Sequence, residues 1–383
     1  MDKLPPNFCF SPWTNLDINP DGAMRPCCKY DFYDNPNNLY TTTIEEYKNS
    51  EFLVNLKKDF LNGVRNEGCA RCWKEEKQNI KSKRLLDIDR WGDIYNDLAY
   101  DEHKFLTLSI AMGNVCNLKC RICSSVASSK WIKEEKHYTG VKNKVHDFYK
   151  EDRFIDQIKN LIHDAINIDW PGGEPLVTGN DKHLEILDYI IENGKSSQVA
   201  LHYITNTTIY PDEKFFTRWK KFKKVEIQFS IDGMDKHFEY NRHPAKWNES
   251  YSNIKKYQQL EKENENIVLS IAQVLSVFTV YYLPEFYQWC IDEGLPKPWI
   301  SRLNKPAHYQ MGIFPTESKQ KVKEKLLSSD IKEVRKWADE VYMHDSSENL
   351  STFWEYTNRI DEYRKESFKN TFPEIYKLLR LPS

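Results

Sequence analysis

Short apolar segments alternate with longer amphipathic ones from residue 105 onward. The apolar segments have the length of strands, and the predicted strands are Phe105–Ala111, Ala165–Trp170, Val199–Thr205, Val225–Ile231, Ile267–Val274 and Trp299–Leu303. The segments between them are helix-like, and the predicted helices are Asp147–His163, Asp181–Glu192, Asp212–Phe222, Asn248–Glu265 and Pro284–Glu293. Nearly continuous apolar strands that alternate with helices favour a parallel sheet covered by helices. Six such units predict an α/β fold, an open or partial (β/α)6 barrel.

The two flanking regions have a different pattern. Residues 1–104 are rich in Asn, Pro and Asp and contain one clear helical stretch, Ile44–Asn62. Residues 316–383 are polar and helical, and Trp337, Trp354 and Tyr356 are expected to pack back on the core. We therefore predict three parts: an N-terminal unit (1–104), a central α/β core (105–315) and a helical C-terminal extension (316–383).

Composition and charge exclude several classes of protein. The 383 residues include 55 Lys and Arg against 57 Asp and Glu, so no basic surplus points to a nucleic-acid partner. The uncharged stretch Ile267–Leu283 has 17 residues and β-branched content that suits a buried strand rather than a membrane span. The start, MDKLPPNFCF, lacks the apolar stretch of a signal peptide, which predicts a cytoplasmic protein without a membrane partner.

The nine cysteines are the unusual feature of the composition. Eight of them precede residue 124, and reduced cysteines that cluster in a cytoplasmic chain usually bind metal or take part in catalysis. Cys116, Cys120 and Cys123 form a C-x3-C-x2-C motif directly after the first predicted strand of the core. Soft thiolates select zinc, Cu(I) or iron–sulfur clusters, and three of them can hold a [4Fe–4S] cluster with one iron open.

Further motifs follow the next three strands. They are Trp170-Pro171-Gly172-Gly173-Glu174-Pro175, Thr205-Asn206 and Ser230-Ile231-Asp232-Gly233, with Arg242 shortly after the last. Taken with the cysteine triplet, they make the stretch from Phe105 to Pro315 resemble the radical S-adenosylmethionine (SAM) superfamily. The resemblance implies a partial TIM-like barrel, a [4Fe–4S] cluster on the three cysteines, and SAM bound at the open iron.

The same resemblance implies the SAM-contacting residues. The segment Gly172, Gly173 and Glu174 corresponds to the family's GGEP, which holds the amino group of SAM, and glycine lets the backbone approach a ligand closely. Thr205 and Asn206 correspond to Thr-Asn-Gly, with Thr207 in place of the glycine. Ser230 and Asp232 correspond to Ser-x-Asp-Gly, and Arg242 to an arginine that related enzymes often have. Ile122 stands where the family commonly has an aromatic residue near the adenine.

The N-terminal cysteines form a second candidate metal site. Cys9, Cys27, Cys69 and Cys72 supply four sulfurs, the last two as C-x2-C, and a zinc ribbon is one interpretation of that spacing. The stretch from Asn19 to Cys28 also resembles SPASM and twitch domains, which carry auxiliary clusters. The resemblance implies one auxiliary iron–sulfur cluster, with Cys28 as the spare cysteine because Gly-x4-Cys selects Cys27. In that family the unit usually follows the barrel, whereas here it precedes it.

The resemblance implies an enzyme that cleaves SAM reductively to a 5′-deoxyadenosyl radical and abstracts hydrogen from a peptide or small molecule. A one-electron reductant such as flavodoxin or ferredoxin would be a partner, and the auxiliary cluster would aid oxidation or substrate binding. Two alternatives stay open: a non-catalytic iron–sulfur or zinc-binding structural protein, and an RNA-modifying radical SAM enzyme. The sequence singles out no catalytic residue that would contact the substrate.

Overall fold

The computed structural model of the chain describes residues 4–31, 35, 37–77, 80–92, 104–343 and 345–380. This part contains the strands β1 (Asn15–Ile18), β2 (Met24–Arg25), β3 (Thr107–Ile110), β4 (Asn167–Trp170), β5 (Ala200–Thr205), β6 (Lys224–Ser230), β7 (Ile267–Leu275) and β8 (Trp299–Arg302). The sheet order is β2-β1-β3-β4-β5-β6-β7-β8. Strand β1 pairs antiparallel with β2 and parallel with β3, and the pairs β3–β4, β4–β5 and β7–β8 are also parallel.

All six predicted strands are present, each within two residues of its predicted ends. Strands β1 and β2 were not predicted from the sequence. Strand β1 has the sequence NLDI, with two polar residues, and β2 is only two residues long, so neither has the apolar pattern that marks a strand. The fold is therefore mixed α/β with a mostly parallel sheet, as expected, while the closure into a (β/α)6 barrel stays a prediction.

The sequence predicts nearly continuous apolar strands, whereas buried and half-buried residues alternate in β5 and β6. In β5, Leu201, Tyr203 and Thr205 are buried, whereas the residues between them are only half-buried. Strand β6 alternates in the same way. Side chains on successive residues of a strand point to opposite faces, so one face of the sheet is packed and the other is partly open and polar.

The chain divides into two compact units. The first comprises Met1–Asn117, Ser125–Ile204 and Pro211–Glu226, and the second comprises Leu118–Ser124, Thr205–Tyr210 and Ile227–Ser383. The helices of the first unit are α1 (Ser11–Thr14), α2 (Ile44–Lys48), α3 (Glu51–Leu61), α4 (Ala70–Lys77), α5 (Lys83–Trp91), α6 (Trp131–Thr139), α7 (Asp152–Leu161), α8 (Asn180–Glu192) and α9 (Glu213–Trp219). The three-part division predicted from the sequence stays a prediction.

The helices of the second unit are α10 (Asp235–Asn241), α11 (Trp247–Glu263), α12 (Leu283–Asp292), α13 (Thr316–Leu327), α14 (Lys332–Arg335), α15 (Glu340–Met343), α16 (Leu350–Arg364), α17 (Phe368–Thr371) and α18 (Pro373–Leu378). Buried apolar residues of the C-terminal helices, such as Phe353 and Phe372, share one hydrophobic cluster with Leu275 at the end of β7. Trp337 and Trp354 pack against this cluster, as the sequence predicts. Tyr356 stacks on His308, with ring centroids 4.6 Å apart.

Two predicted helices are interrupted. The stretch Ile44–Asn62 is two helices: the first ends at Lys48, and Ser50 caps the second by accepting a hydrogen bond from the Leu53 N–H at 3.3 Å. The stretch Asp147–His163 begins as a short 3₁₀ turn at Phe148–Lys150, and α7 starts only at Asp152.

The uncharged run Ile267–Leu283 forms β7 and the turn that follows it, as predicted. Among the described residues, no helix has the length and apolar character needed to cross a membrane.

Candidate cluster-binding site

The four predicted auxiliary ligands line one cavity in the first unit. Cys9, Cys27, Cys69 and Cys72 line this small cavity together with Ser11, Lys29, Tyr30, Phe60, Lys83 and Arg84. Short elements bring the thiols there: Cys9 precedes α1, Cys27 follows β2, Cys69 ends a 3₁₀ turn and Cys72 lies in α4. Cys28 is exposed and does not belong to the described lining.

The cavity disfavours free thiolates. Burial raises the pKa of Cys9 to about 11, and it also raises the pKa values of Cys27, Cys69 and Cys72. Neighbouring cysteines raise the Cys27 pKa further, because each thiolate would repel the next. Metal coordination reverses this penalty, since a bound metal deprotonates its thiol ligands. Among the described residues, no group of three His, Cys, Asp or Glu side chains has the arrangement of a single-ion site.

Three cations line the same cavity. Lys29 pairs with Glu75 at 2.6 Å, Lys83 with Asp87 at 2.5 Å and Arg84 with Glu76 at 2.7 Å. Burial alone would lower the pKa of Lys83, but Asp87 and the neighbouring cysteines raise it to about 12. Lys83 is therefore charged, and the Asp87 carboxylate balances its charge beside the four thiols.

The cysteine triplet is divided between the units. Cys116 lies in the first unit, where its N–H donates to Ser129 Oγ at 3.3 Å. Cys120 and Cys123 lie in the second unit on one tight turn, in which the Cys123 N–H donates to the Cys120 carbonyl at 3.0 Å. Burial raises the pKa of Cys120, and the nearby Arg242 guanidinium opposes that shift. Ile122 is partly buried against the hydrophobic cluster of the second unit.

The Gly172-Gly173-Glu174 turn packs against the start of the cysteine loop. The Glu174 N–H donates to the Val115 carbonyl at 2.9 Å, and Thr178 Oγ1 donates to the same oxygen at 2.7 Å. Gly172 has φ 75° and Gly173 has φ 52°, and a Cβ on Gly173 would overlap the Val115 carbonyl oxygen. In this structure the glycines thus permit close approach to the chain itself, next to Cys116.

The other predicted SAM residues lie in the second unit. Thr205 ends β5, and Asn206 follows it, with its Oδ1 accepting hydrogen bonds from Thr208 N–H and Oγ1 at 3.0 and 2.6 Å. Ser230 is half-buried at the end of β6. Asp232 and Arg242 form a buried ion pair at 2.7 Å, and Asp232 Oδ1 also accepts from the Val274 N–H at 3.1 Å.

The comparisons with known proteins bear on these observations. Residues 9–73 match the family model of SPASM, an iron–sulfur cluster-binding domain. The matched range contains Cys9, Cys27, Cys69 and Cys72. We call residues 9–73 the SPASM region from here on. No curated protein matches the chain.

Two solved structures similar to the chain are native anSMEcpe with bound AdoMet and Streptococcus suis SuiB. The first has a TM-score of 0.43 and 18% identity, with 62% of this chain and 62% of that chain covered. The second has a TM-score of 0.39 and 16% identity, with 67% of this chain and 56% of that chain covered. The chain therefore spans less than two thirds of the length of either protein.

A polar row on the sheet was missed by the sequence analysis. Strand register places Asp17 of the SPASM region opposite Ser109, Ser109 opposite Asp169, and Asp169 opposite His202. His202 Nδ1 lies 3.2 Å from Asp169 Oδ1, and Arg25 pairs with Asp17. Paired residues share a face, so these side chains form a continuous polar strip. The signal was present in the alternation of NIDW and ALHYIT, but the partner strand β1 was not predicted.

Arg121 was also missed, although it stands between two predicted ligands. Its side chain is fully buried, and its Nη2 lies 2.5 Å from Asp361 Oδ1 and 2.6 Å from Glu366 Oε2. The guanidinium carbon lies 3.6 Å from the centroid of the Tyr240 ring. The carboxylates are about 240 residues downstream of Arg121, and no local sequence pattern indicates such a pairing.

Proposed function

We propose that this chain is a radical SAM enzyme whose SPASM region holds one auxiliary [4Fe–4S] cluster. The observation that carries the proposal is the cavity lined by Cys9, Cys27, Cys69 and Cys72, within a region that matches a cluster-binding family. Four thiols gathered on one cavity suit an iron–sulfur cluster, because cysteine thiolates are the usual ligands of such clusters.

The SAM-binding half of the proposal rests on the order of motifs along the chain. Cys116, Cys120 and Cys123 would hold the second [4Fe–4S] cluster, at whose open iron SAM would bind. The chemistry supplied there is the one-electron cleavage of SAM to methionine and a 5′-deoxyadenosyl radical that abstracts hydrogen from the substrate. A flavodoxin or ferredoxin would provide the electron.

The chain's own residues would bind SAM, orient it and shield it from water. The turn at Gly172, Gly173 and Glu174 would bind the amino group of SAM, and its hydrogen bonds to Val115 tie it to the residue before Cys116. The Asp232–Arg242 ion pair would fix the segment after β6 close to Cys120. Thr205, Asn206 and Ser230 would make further polar contacts with SAM, and Ile122 would cover the adenine.

We propose a peptide or a small molecule as the substrate class. The near-neutral net charge supports this choice, since an RNA substrate would favour a basic face. The polar row from Asp17 to His202 adds hydrogen-bonding groups on the partly open side of the sheet, which suit a polar substrate.

The test is anaerobic reconstitution followed by analysis of iron, sulfide and nucleoside products. We expect about two clusters per chain, and 5′-deoxyadenosine after reduction in the presence of SAM. A variant with Cys116→Ala, Cys120→Ala and Cys123→Ala should lose SAM cleavage and keep the auxiliary cluster. A wild-type protein that binds only zinc and forms no 5′-deoxyadenosine would instead support a structural metal protein.

A further inference from the structure

Two carboxylates of the C-terminal extension reach the turn that carries Cys120 and Cys123. Asp361 lies in α16 and Glu366 just beyond its end, and both contact the buried Arg121 guanidinium, at 2.5 and 2.6 Å. Arg121 directly follows Cys120, so its position and that of the predicted ligands are coupled through the backbone. The contacts all lie within the second unit.

Each carboxylate is itself held by a second partner. Asp361 accepts hydrogen bonds from Tyr240 Oη at 2.8 Å and from the Phe368 N–H at 2.6 Å. Glu366 Oε1 lies 2.5 Å from His243 Nδ1. Burial would raise the pKa of Glu366, but His243 and Arg121 outweigh it and lower that pKa, so the carboxylate is charged.

The backbone of the cysteine turn is tied to the same region. The Lys119 N–H donates to the His243 carbonyl at 2.7 Å, and the Arg121 N–H donates to the Asn241 carbonyl at 2.8 Å. These two hydrogen bonds restrain the main chain of the cysteine turn, and the ion pairs restrain the Arg121 side chain. A segment restrained at both backbone and side chain loses most of its freedom to turn.

We propose that Arg121 is a positioning residue for the SAM cluster, held in place by Asp361 and Glu366 of the C-terminal extension. This inference rests on the proposed function. It assigns the extension a role in that function: its two carboxylates fix the orientation of Cys120 and Cys123. Arg121 acts through these cysteines, because its charged end faces Asp361, Glu366 and Tyr240.

The experiment compares Arg121→Lys, Arg121→Gln, Asp361→Asn and Glu366→Gln in the full chain after anaerobic reconstitution, with SAM as the probe. We expect Arg121→Gln and Asp361→Asn each to lower the rate of 5′-deoxyadenosine formation at least tenfold. The reduced SAM cluster should also lose or broaden the change in its electron paramagnetic resonance spectrum that SAM induces. Arg121→Lys, which keeps the charge, should recover part of both signals.

The matched control is Arg359→Gln, since Arg359 forms an exposed ion pair with Glu355 on the same helix. In a combined Arg121→Gln, Asp361→Asn variant, the effect of Asp361→Asn should be smaller than in the wild type, because the Arg121–Asp361 contact is already lost. Unchanged cleavage and spectra in the single variants would overturn the proposal. Loss of the auxiliary cluster in all of them would also overturn it, since the contacts would then serve folding in general. Absence of cleavage in the wild type would instead count against the proposed function.

Discussion

Thr207 adopts a backbone conformation that β-branched residues rarely take. Its φ is 67°, and its side chain is fully buried. Three hydrogen bonds hold it: its N–H donates to Thr205 Oγ1, its Oγ1 donates to the Asn206 carbonyl, and its own carbonyl accepts from Asn253 Nδ2. The family resemblance has glycine at this position. The threonine thus occupies the backbone conformation that glycine would adopt without strain, and its hydrogen bonds compensate.

The left-handed backbone at Thr207 predicts that a glycine variant is more stable than an alanine variant, the reverse of the usual order. Thr207→Gly should be more stable than Thr207→Ala by about 1 kcal/mol, because both variants lose the hydroxyl but only alanine keeps the left-handed strain. In most positions with negative φ, the alanine variant is the more stable one. Urea unfolding of both variants measures the difference, and an alanine variant equal to or more stable than the glycine variant would contradict it.

His183 is fully buried in the first unit. Its ring contacts Trp170, with the centroids 4.1 Å apart, and its Nε2 lies 2.9 Å from Tyr203 Oη. Burial lowers its pKa to about 3. The unfolded chain, with an ordinary histidine pKa near 6.5, therefore binds the proton more readily than the folded chain does.

This pKa predicts a loss of stability in mild acid. Below about pH 6.5 the unfolded chain takes up a proton at His183 that the folded chain does not, so the free energy of unfolding falls as the pH drops toward 3. By pH 4.5 this loss is about 3 kcal/mol. His183→Gln should lose less stability than the wild type between pH 7 and 4.5, whereas the exposed His163→Gln should behave like the wild type. Equal losses in all three proteins, measured by urea unfolding, would show that His183 is not the responsible group.

At the scale of elements, the turn after β4 and the loop after β3 form one interlocked piece. Gly173 and Gly194 both have positive φ, of 52° and 67°. A Cβ on Gly173 would overlap the Val115 carbonyl oxygen, whereas a Cβ on Gly194 would meet nothing within 4 Å. The two glycines therefore separate the effect of backbone conformation from that of close approach.

We expect Gly194→Ala to cost about 1 kcal/mol, the backbone penalty alone. Gly173→Ala should cost at least about 2 kcal/mol more, because the turn must move away from Val115. It should also weaken SAM binding, which isothermal titration with the reconstituted protein would measure. Similar unfolding free energies for the two variants would contradict the interlocking.

The elements predicted from the sequence are those that depend on residues close together in the chain, and the missed ones depend on distant residues. The strands from β3 to β8 were predicted because their apolar residues are close in sequence and bounded by Gly, Asn or Pro. Strand β1 was missed because its pairing with β3 spans about 90 residues and its own sequence is half polar. The cysteine ligands were predicted from their spacing and stay predictions, whereas the position of Arg121 depends on Asp361 and Glu366, far along the chain.

At the scale of the whole molecule, an auxiliary cluster would stabilise the loop-rich N-terminal part of the chain. Helices α2 to α5 are short, and the cavity lined by Cys9, Cys27, Cys69 and Cys72 lies among them. Metal binding contributes directly to folding where a small region lacks a large core.

The neighbouring cysteines Cys27 and Cys28 give a matched pair for testing this role. Cys27→Ala should lose the auxiliary cluster and lower the melting temperature by several degrees, since Cys27 lines the cavity. Cys28→Ala should keep iron content and melting temperature, since the Cys28 side chain is exposed. Iron analysis with anaerobic calorimetry measures both, and the reverse result would make Cys28 the ligand.

The parallel pairing of β1 with β3 makes the SPASM region the cover of a sheet edge. Asn15 to Ile18 satisfy the backbone groups of β3 along Thr107 to Ile110. If residues 1–104 were removed, these groups would be exposed beside the apolar Leu108 and Ile110. An exposed strand edge of this kind favours pairing between molecules and aggregation. If the proposed function holds, the segment that would bind the auxiliary cluster is also the one that shields the edge of β3, so its removal would affect solubility as well as cluster content.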